Sequence, residues 1–470
     1  MQTVRSSASG VFLFFSFWTA QVLFFWTGLV GLNGCGPAVE VSEQAQPLDA
    51  LTRDPREEDA GADCWPGFRG WNVQGVAAEA NPPVEFGPTT ACRWKIELPG
   101  RGWSSPVVWK DRIFLTAALE EEKPIRLVVW CFHRADGRLL WQREAGIAGG
   151  PTHEKNGYAS ASAATDGQYV VVFFGSVGLL CYDMDGQPIW HTSFRLEHQW
   201  GVASSPVIHG DVVVQLCDVG DEASVGSSLV AVRKKDGRIL WQTPRESYGS
   251  WSTPVLVDAT GPDGQRRTEV LINGAGHASS DGRILAAYDL RDGQELWRVP
   301  GLTEWVAPSA VLGGGWVYSM CGRNGPIQAI QPGGQGDVSQ SHLVWRRSHG
   351  GPYIPTGIFY RNRLYVVTEP GFLTCYNAGS GEEIWRMRLR DTFTASLTAA
   401  AGRIYAAAES GRVYVVAAGD APRLLATNDL EDSPCLATPA IVGNDLLVRT
   451  RRFLYCFFSR TLPPPPSSSP

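Results

Sequence analysis

Eight histidines, ten cysteines and a few serine and aspartate motifs are the residues of this 470-residue chain that could do chemistry. A metal site needs several His, Cys, Asp or Glu side chains brought to one point, usually at short sequence spacing. The nearest approaches are His153-Glu154, His191 with His198, and His342 with His349, and each pair falls between strand-like runs. They read as solvated loop histidines. No Cys-x-x-Cys pair is present, so a structural zinc site has no signature here. The segment Asp258-Ala-Thr-Gly-Pro-Asp-Gly264 could wrap a cation, but Gly-Pro-Asp-Gly is also what a long hairpin connection is made of. A serine nucleophile needs a base beside it. Ser104, Ser204 and Ser252 instead recur in one context, Ser-Ser-Pro-Val or Ser-Thr-Pro-Val, which marks a repeated structural position. No catalytic residue and no metal ligand emerges from these residues.

The elements that would position any site are set by a repeat. A six-residue phrase ending in tryptophan returns at Asp136-Gly-Arg-Leu-Leu-Trp141, Asp185-Gly-Gln-Pro-Ile-Trp190, Asp236-Gly-Arg-Ile-Leu-Trp241 and Asp292-Gly-Gln-Glu-Leu-Trp297, with a looser copy at Ser380-Gly-Glu-Glu-Ile-Trp385. Asp-Gly between apolar runs is a strong hairpin signal, because both turn residues accept positive φ. Upstream lie strand-like runs such as Arg126-Leu-Val-Val-Trp-Cys-Phe132, and further on each unit steps from small polar residues into another apolar stretch. Four short strands in about 40–50 residues are the dimensions of a propeller blade. First strands begin near Pro106, Ser162, Pro206, Pro254, Ser309, Gly357, Leu397 and Pro439. The sequence therefore predicts an all-β fold, an eight-bladed β-propeller of four-stranded blades. The last unit ends at Phe453-Leu-Tyr-Cys-Phe457, one strand short, and Ala91-Cys-Arg-Trp-Lys-Ile-Glu97 carries a Trp at the right place to supply it. Closure by this N-terminal strand would remove the open sheet edges. Trp94, Trp141, Trp190, Trp241, Trp297 and Trp385 are then structural residues that fill the seams between blades.

The longer phrase Ala287-Tyr-Asp-Leu-Arg-Asp-Gly-Gln-Glu-Leu-Trp297 resembles the tryptophan-docking motif of pyrroloquinoline-quinone (PQQ) repeat propellers, and Ala231 to Trp241 matches it as well. The copies ending at Trp141, Trp190 and Trp385 have Cys131, Cys181 and Cys375 in place of the motif's small Ala, which points to buried thiols. The resemblance spans residues 65–458 and implies one of two functions. Quinoprotein alcohol dehydrogenases hold PQQ and calcium on the propeller axis under a vicinal Cys-Cys disulfide. BamB-like outer-membrane assembly lipoproteins use the same ring as a non-catalytic platform for proteins. This chain has no Cys-Cys pair and no ordered set of Glu, Asn and Asp for calcium. The resemblance therefore favours the BamB-like branch without PQQ or calcium, with a PQQ-dependent quinoprotein oxidoreductase as the alternative.

Residues 11–32 are almost wholly apolar after Arg5, and Leu32-Asn-Gly-Cys35 resembles the lipobox of bacterial lipoproteins. The apolar run exceeds an ordinary signal peptide and could also span a bilayer uncleaved. Residues 1–35 are thus a signal, lipoprotein or anchor segment, with Cys35 as the lipidation site, and either form places the rest on the periplasmic side of a bacterial envelope. Residues 36–63 read as an acidic disordered tether, 64–460 as the propeller, and 461–470 as a Pro/Ser-rich tail. Cys64 and Cys92 flank the N-terminal strand and are the first pair to consider for a disulfide. A net charge of −6 without a cationic cluster excludes a nucleic-acid partner. Immediately before the inner strands stand Trp103, Tyr158, Trp200, Trp251, Trp305, Tyr353 and Phe393. In a propeller these would ring one mouth of the central channel, where an envelope protein or peptide could bind. Trp103, Trp251 and Trp305 lie nearest the strand starts and are the expected anchors.

Overall fold

The structure, a computed structural model, describes residues 63–459 apart from 122, 176, 195, 197–199, 219–225, 246–248, 276–282 and 304. Cys35, the apolar segment, nearly all of the tether and the tail lie outside the described residues. Eight antiparallel sheets follow one another along the chain. Their first strands are Val107–Trp109, Ala164–Thr165, Val207–His209, Val255–Thr260, Val311–Gly313, Ile358–Tyr360, Thr398–Ala400 and Ala440–Val442, which number the blades 1 to 8. The fourth strand of blade 8 is Cys92–Glu97, paired antiparallel with Phe453–Phe458 so that Trp94 faces Cys456. The ring is closed by the N-terminal strand as the sequence predicts.

A girdle of hydroxyls explains the small polar residue before each first strand. The backbone N–H of Ser105 donates to Ser162 Oγ at 2.8 Å, Ser162 to Ser205 at 2.9 Å, and Ser205 to Thr253 Oγ1 at 3.1 Å. Thr253 continues to Ser309, Ser309 to Thr356, Thr356 to Ser396, and Ser396 to Thr438, each within 2.9–3.1 Å. The N–H of Thr438 returns to Ser105 Oγ at 3.0 Å. This is one hydrogen bond per blade junction, and the circle closes after eight steps. All eight side chains are buried, where a backbone N–H needs a partner and finds it in the hydroxyl of the next blade. Pro, Ala or Gly follows in seven blades and Leu397 in blade 7.

The outer seams are built by the recurring Trp. Trp94, Trp141, Trp190, Trp241 and Trp385 each donate their indole N–H across the seam to a carbonyl of the following blade: Arg134, Met184, Lys234, Leu290 and Gly419, at 2.7–3.0 Å. The rings of Trp94, Trp141, Trp190 and Trp241 lie over a glycine of the neighbour's turn. At Gly237, with φ +70°, a Cβ would stand 2.6 Å from the Trp190 ring, so only glycine admits both the turn and the docking. Opposite the Trp, Cys131, Cys181 and Cys375 are fully buried small residues.

Three seam details depart from the sequence reading. Trp345 is a docking Trp that the motif did not reveal: it donates to Ala378 at 2.9 Å and covers Gly381, but a long connection, not Asp-Gly, precedes its strand. Trp297 fills the seam against Leu312, Val317 and Ile330 of blade 5, but its indole N–H does not cross it. It is fully buried and donates to Glu269 Oε2 of its own blade at 2.7 Å, because the blade 5 connection adds a parallel strand, Gly336–Asp337, beside it. Blade 7 has Ala426 at this register, and Phe86 fills the space, its N–H on Asn428 Oδ1 and its ring 4.6 Å from Phe457. No disulfide joins Cys64 to Cys92, since Cys64 borders the first strand of blade 1 while Cys92 starts the outermost strand of blade 8.

Candidate interaction surface at the aromatic mouth

All first strands run the same way, so the loops that enter them gather at one mouth of the channel. There the seven predicted aromatics take three different roles. Phe393 is fully buried against Tyr414 and is not available to a partner. Trp103 is only 7% exposed and belongs with the core as well. Both positions correct the expectation of a complete aromatic rim, for a physical reason: each ring fills the wedge under the neighbouring loop. Tyr158 and Tyr353 are half-buried, the first donating to Gly150 O at 2.9 Å and the second lying under the Arg323 guanidinium.

Trp200, Trp251 and Trp305 come together in the entry loops of blades 3, 4 and 5. Trp200 is 40% and Trp305 38% exposed. Trp251 packs on Trp305 with ring centroids 6.1 Å apart and donates its indole N–H to Gly201 O, next to Trp200, at 2.9 Å. Trp305 holds this position at φ +59°, an uncommon state for a bulky side chain.

The loop that enters blade 2 crosses this mouth. It folds into a tight turn, with His153 and Asn156 exchanging backbone hydrogen bonds, and carries Lys155 at its tip. Lys155 Nζ lies 2.7 Å from Glu409 Oε1, in the turn between the second and third strands of blade 7. The same oxygen accepts Thr394 Oγ1 at 2.6 Å. Glu369, in the matching turn of blade 6, accepts Ile354 N–H at 2.6 Å, and burial raises its carboxyl above the usual range although Lys155 pulls it down.

The opposite mouth is filled by a segment that the sequence reading passed over. Cys64–Trp65 pairs with the first strand of blade 1 and Val76–Ala77 with that of blade 7. Between them Pro66 O accepts Thr165 N–H, the Asn72 amide bridges both Leu256 N and O at 3.0 and 2.7 Å, and Gln74 Oε1 accepts Leu312 N–H at 2.7 Å. Arg69 is fully buried, donates to Gly357 O at 2.7 Å, and is pulled down to about 9 by burial alone. Beside this plug lies an open cavity of about 420 Å³ lined by Phe68, Trp71, Trp109, Tyr360 and Arg361 among others. The only signal for it was Gly67-Phe-Arg-Gly-Trp-Asn72, an aperiodic run that carries no strand or helix pattern.

Not all of the histidines expected in loops are there: His153 is exposed in a turn beside Trp200, but His191 lies in the strand Pro188–Thr192, where it bonds Val177 O, and His349 lies in the strand Leu343–Gly351, while His198 is outside the described residues. Asp258 lies within the first strand of blade 4 and accepts Thr268 Oγ1, and Gly261–Gly264 belongs to the hairpin connection after that strand. Among the described residues no three His, Cys, Asp or Glu side chains converge on a point that could hold a metal. The described residues thus offer no acidic cluster for the calcium that the quinoprotein branch implies.

A profile of the family described as outer membrane protein assembly factor BamB matches residues 86–254 and 280–452. The chain is 24% identical over 350 residues to outer membrane protein assembly factor BamB of Yersinia pestis, covering 69% of this chain and 78% of that protein. Among solved structures it is similar to BamB from Moraxella catarrhalis, with a TM-score of 0.57 and 13% identity over 78% of this chain and 97% of that one. It is also similar to the quinohemoprotein alcohol dehydrogenase ADHIIG from Pseudomonas putida HK5, with a TM-score of 0.61 and 13% identity over 90% of this chain and 84% of that one. At these identities the two structural likenesses show the shared propeller fold alone.

Proposed function

Because this chain belongs to the family of outer membrane protein assembly factor BamB, we propose that it is a non-catalytic scaffold of the bacterial cell envelope that binds a protein or peptide partner at its aromatic mouth. The observation that carries the reading is the contiguous Trp200–Trp251–Trp305 group in three adjacent loops. Exposed Trp is enriched at interface hot spots and rare elsewhere on a surface. Holding Trp305 at positive φ costs of order 1–3 kcal/mol, and strained residues of this kind cluster at ligand-binding sites. Lipid on Cys35, or the apolar segment uncleaved, would keep the ring on the periplasmic face of a membrane. The Cys35→Ser chain should then remain as an unprocessed, unlipidated precursor, and unchanged processing would leave the apolar segment as the anchor.

The test is replacement of Trp200, Trp251 and Trp305 by Ala one at a time, with melting temperature as the control for folding. At a hot spot each truncation costs roughly 2 kcal/mol or more, about a 30-fold loss of affinity. Folded variants that keep every envelope protein co-purified with the wild type would refute the mouth as the binding surface.

A further inference from the structure

We propose that the aromatic mouth selects a partner segment carrying a lysine or arginine, and that Lys155 is an internal stand-in for that side chain. The inference rests on the reading of the mouth as a protein-binding surface and adds what the partner must present. Glu409 and Glu369 are held in place by groups other than Lys155: Thr394 Oγ1 on the first and Ile354 N–H on the second. Both carboxylates therefore keep their position when the lysine leaves, and a cation offered by a partner meets a prepared site. Lys155 itself is held loosely. Its ion pair is partly exposed, 31% on the lysine and 21% on Glu409, and such pairs contribute little. The loop that carries it is flanked by Gly149, Gly150 and Gly157.

A second, independent sign of an absent ligand lies beneath the same loop. The indole N–H of Trp103, a side chain more than nine-tenths buried, has no acceptor and faces Gly157. A buried donor of this kind is costly to leave unpaired, and an acceptor reaches it only when the overlying loop is lifted, as a peptide that displaces Lys155 would do. Trp200 and Trp305 then stand beside the path as platforms for apolar or aromatic neighbours of the basic residue. The occupant is thus a peptide segment with one cationic side chain next to a bulky apolar one.

The experiment pans a phage-displayed random peptide library on the full chain, on Lys155→Ala and on Glu409→Gln, and measures the affinity of the selected peptides for each. Selected peptides should carry Lys or Arg beside an apolar or aromatic residue. They should bind Lys155→Ala up to about 5-fold more tightly than wild type, the limit set by a competing pair of this exposure, and bind Glu409→Gln more weakly. Peptides that need Trp305 but lack basic residues, or equal affinity for wild type and Lys155→Ala, would overturn the proposal while leaving the aromatic mouth standing. Peptides indifferent to Trp305→Ala would remove the reading on which it rests.

Discussion

Replacing Thr253 by Val removes one link of the hydroxyl girdle while keeping the shape of the side chain. Thr253 is 3% exposed, accepts the Ser205 N–H at 3.1 Å, and passes its own N–H on to Ser309 at 2.9 Å. In the variant the Ser205 N–H is left buried without an acceptor, which costs about 1–3 kcal/mol. Thr253→Ser keeps the acceptor and loses one methyl group, about 0.8 kcal/mol at most. The two variants should therefore separate by roughly 1 kcal/mol, and by about 2 kcal/mol at most, in urea unfolding at 25 °C. Amide hydrogen exchange gives the sharper reading. A loss of 2 kcal/mol confined to this junction speeds exchange at Ser205 about 30-fold, with amides of blades 7 and 8 little affected. If Thr253→Val and Thr253→Ser are equally stable, or if exchange at Ser205 does not change, the girdle is a geometric coincidence and contributes nothing to closure.

The closing seam depends on Asp445, fully buried between Arg134 at 2.7 Å and Arg93 at 3.0 Å; Asp445→Ala should destabilise by about 3 kcal/mol and expose residues 92–97 to limited proteolysis, and a strand that stays protected would refute this. Burial raises the Glu269 carboxyl above its usual range, against the bonds from Trp297 and Arg267. A raised acid contributes stability that is fully present below its unfolded pKa of about 4.3 and is lost as pH rises through the folded value. The stability of wild type relative to Glu269→Gln should therefore fall as pH rises above about 4.3, and a difference that is flat or rises would refute the shift. In hydrogen exchange of the full chain, amides of Trp65 and Ala77 should be protected with the inner strands while those of residues 152–156 exchange much faster; equal rates would mean that both mouths are fixed.

The parts of this fold that the sequence reveals are those where one residue type is required at every turn of the repeat. Asp-Gly before Trp is visible because the turn needs positive φ and the docking ring needs a bare glycine beneath it, as at Gly237 under Trp190. Ser or Thr before the first strand is visible because a neighbour's N–H must be accepted there eight times. Where another segment supplies the contact, the pattern disappears. Ala426 stands in a Trp position because Phe86 fills its seam, and Trp345 escapes the motif because its strand follows a long connection. The plug is illegible for a related reason: Asn72 and Gln74 satisfy strand edges with side-chain amides, so no alternation is needed. At the mouth, sequence position gives the loop but not the depth of the ring. Phe393 and Trp305 occupy equivalent loops, yet one is fully buried and the other more than a third exposed, because the path of each loop, set by its own turn, decides which way the ring falls.

The two ends of the channel are sealed by unequal means, and that inequality bears on where a partner can act. The plug is tied by backbone ladders to blades 1 and 7 and by side-chain or backbone bonds to blades 2, 4, 5 and 6, so it cannot leave without breaking many buried hydrogen bonds together. Its bonds connect blades far apart in sequence, which stiffens the ring from inside. The loop at the other mouth reaches blade 7 through one partly exposed ion pair, worth about 0–1 kcal/mol, and touches blade 3 through the Asn156 amide on Trp200 O. A ligand can exchange for such contacts at little cost, whereas displacing the plug would cost several buried bonds at about 1 kcal/mol or more each. Of the two faces, the one held by the weaker contacts is the one that carries Trp200, Trp251 and Trp305.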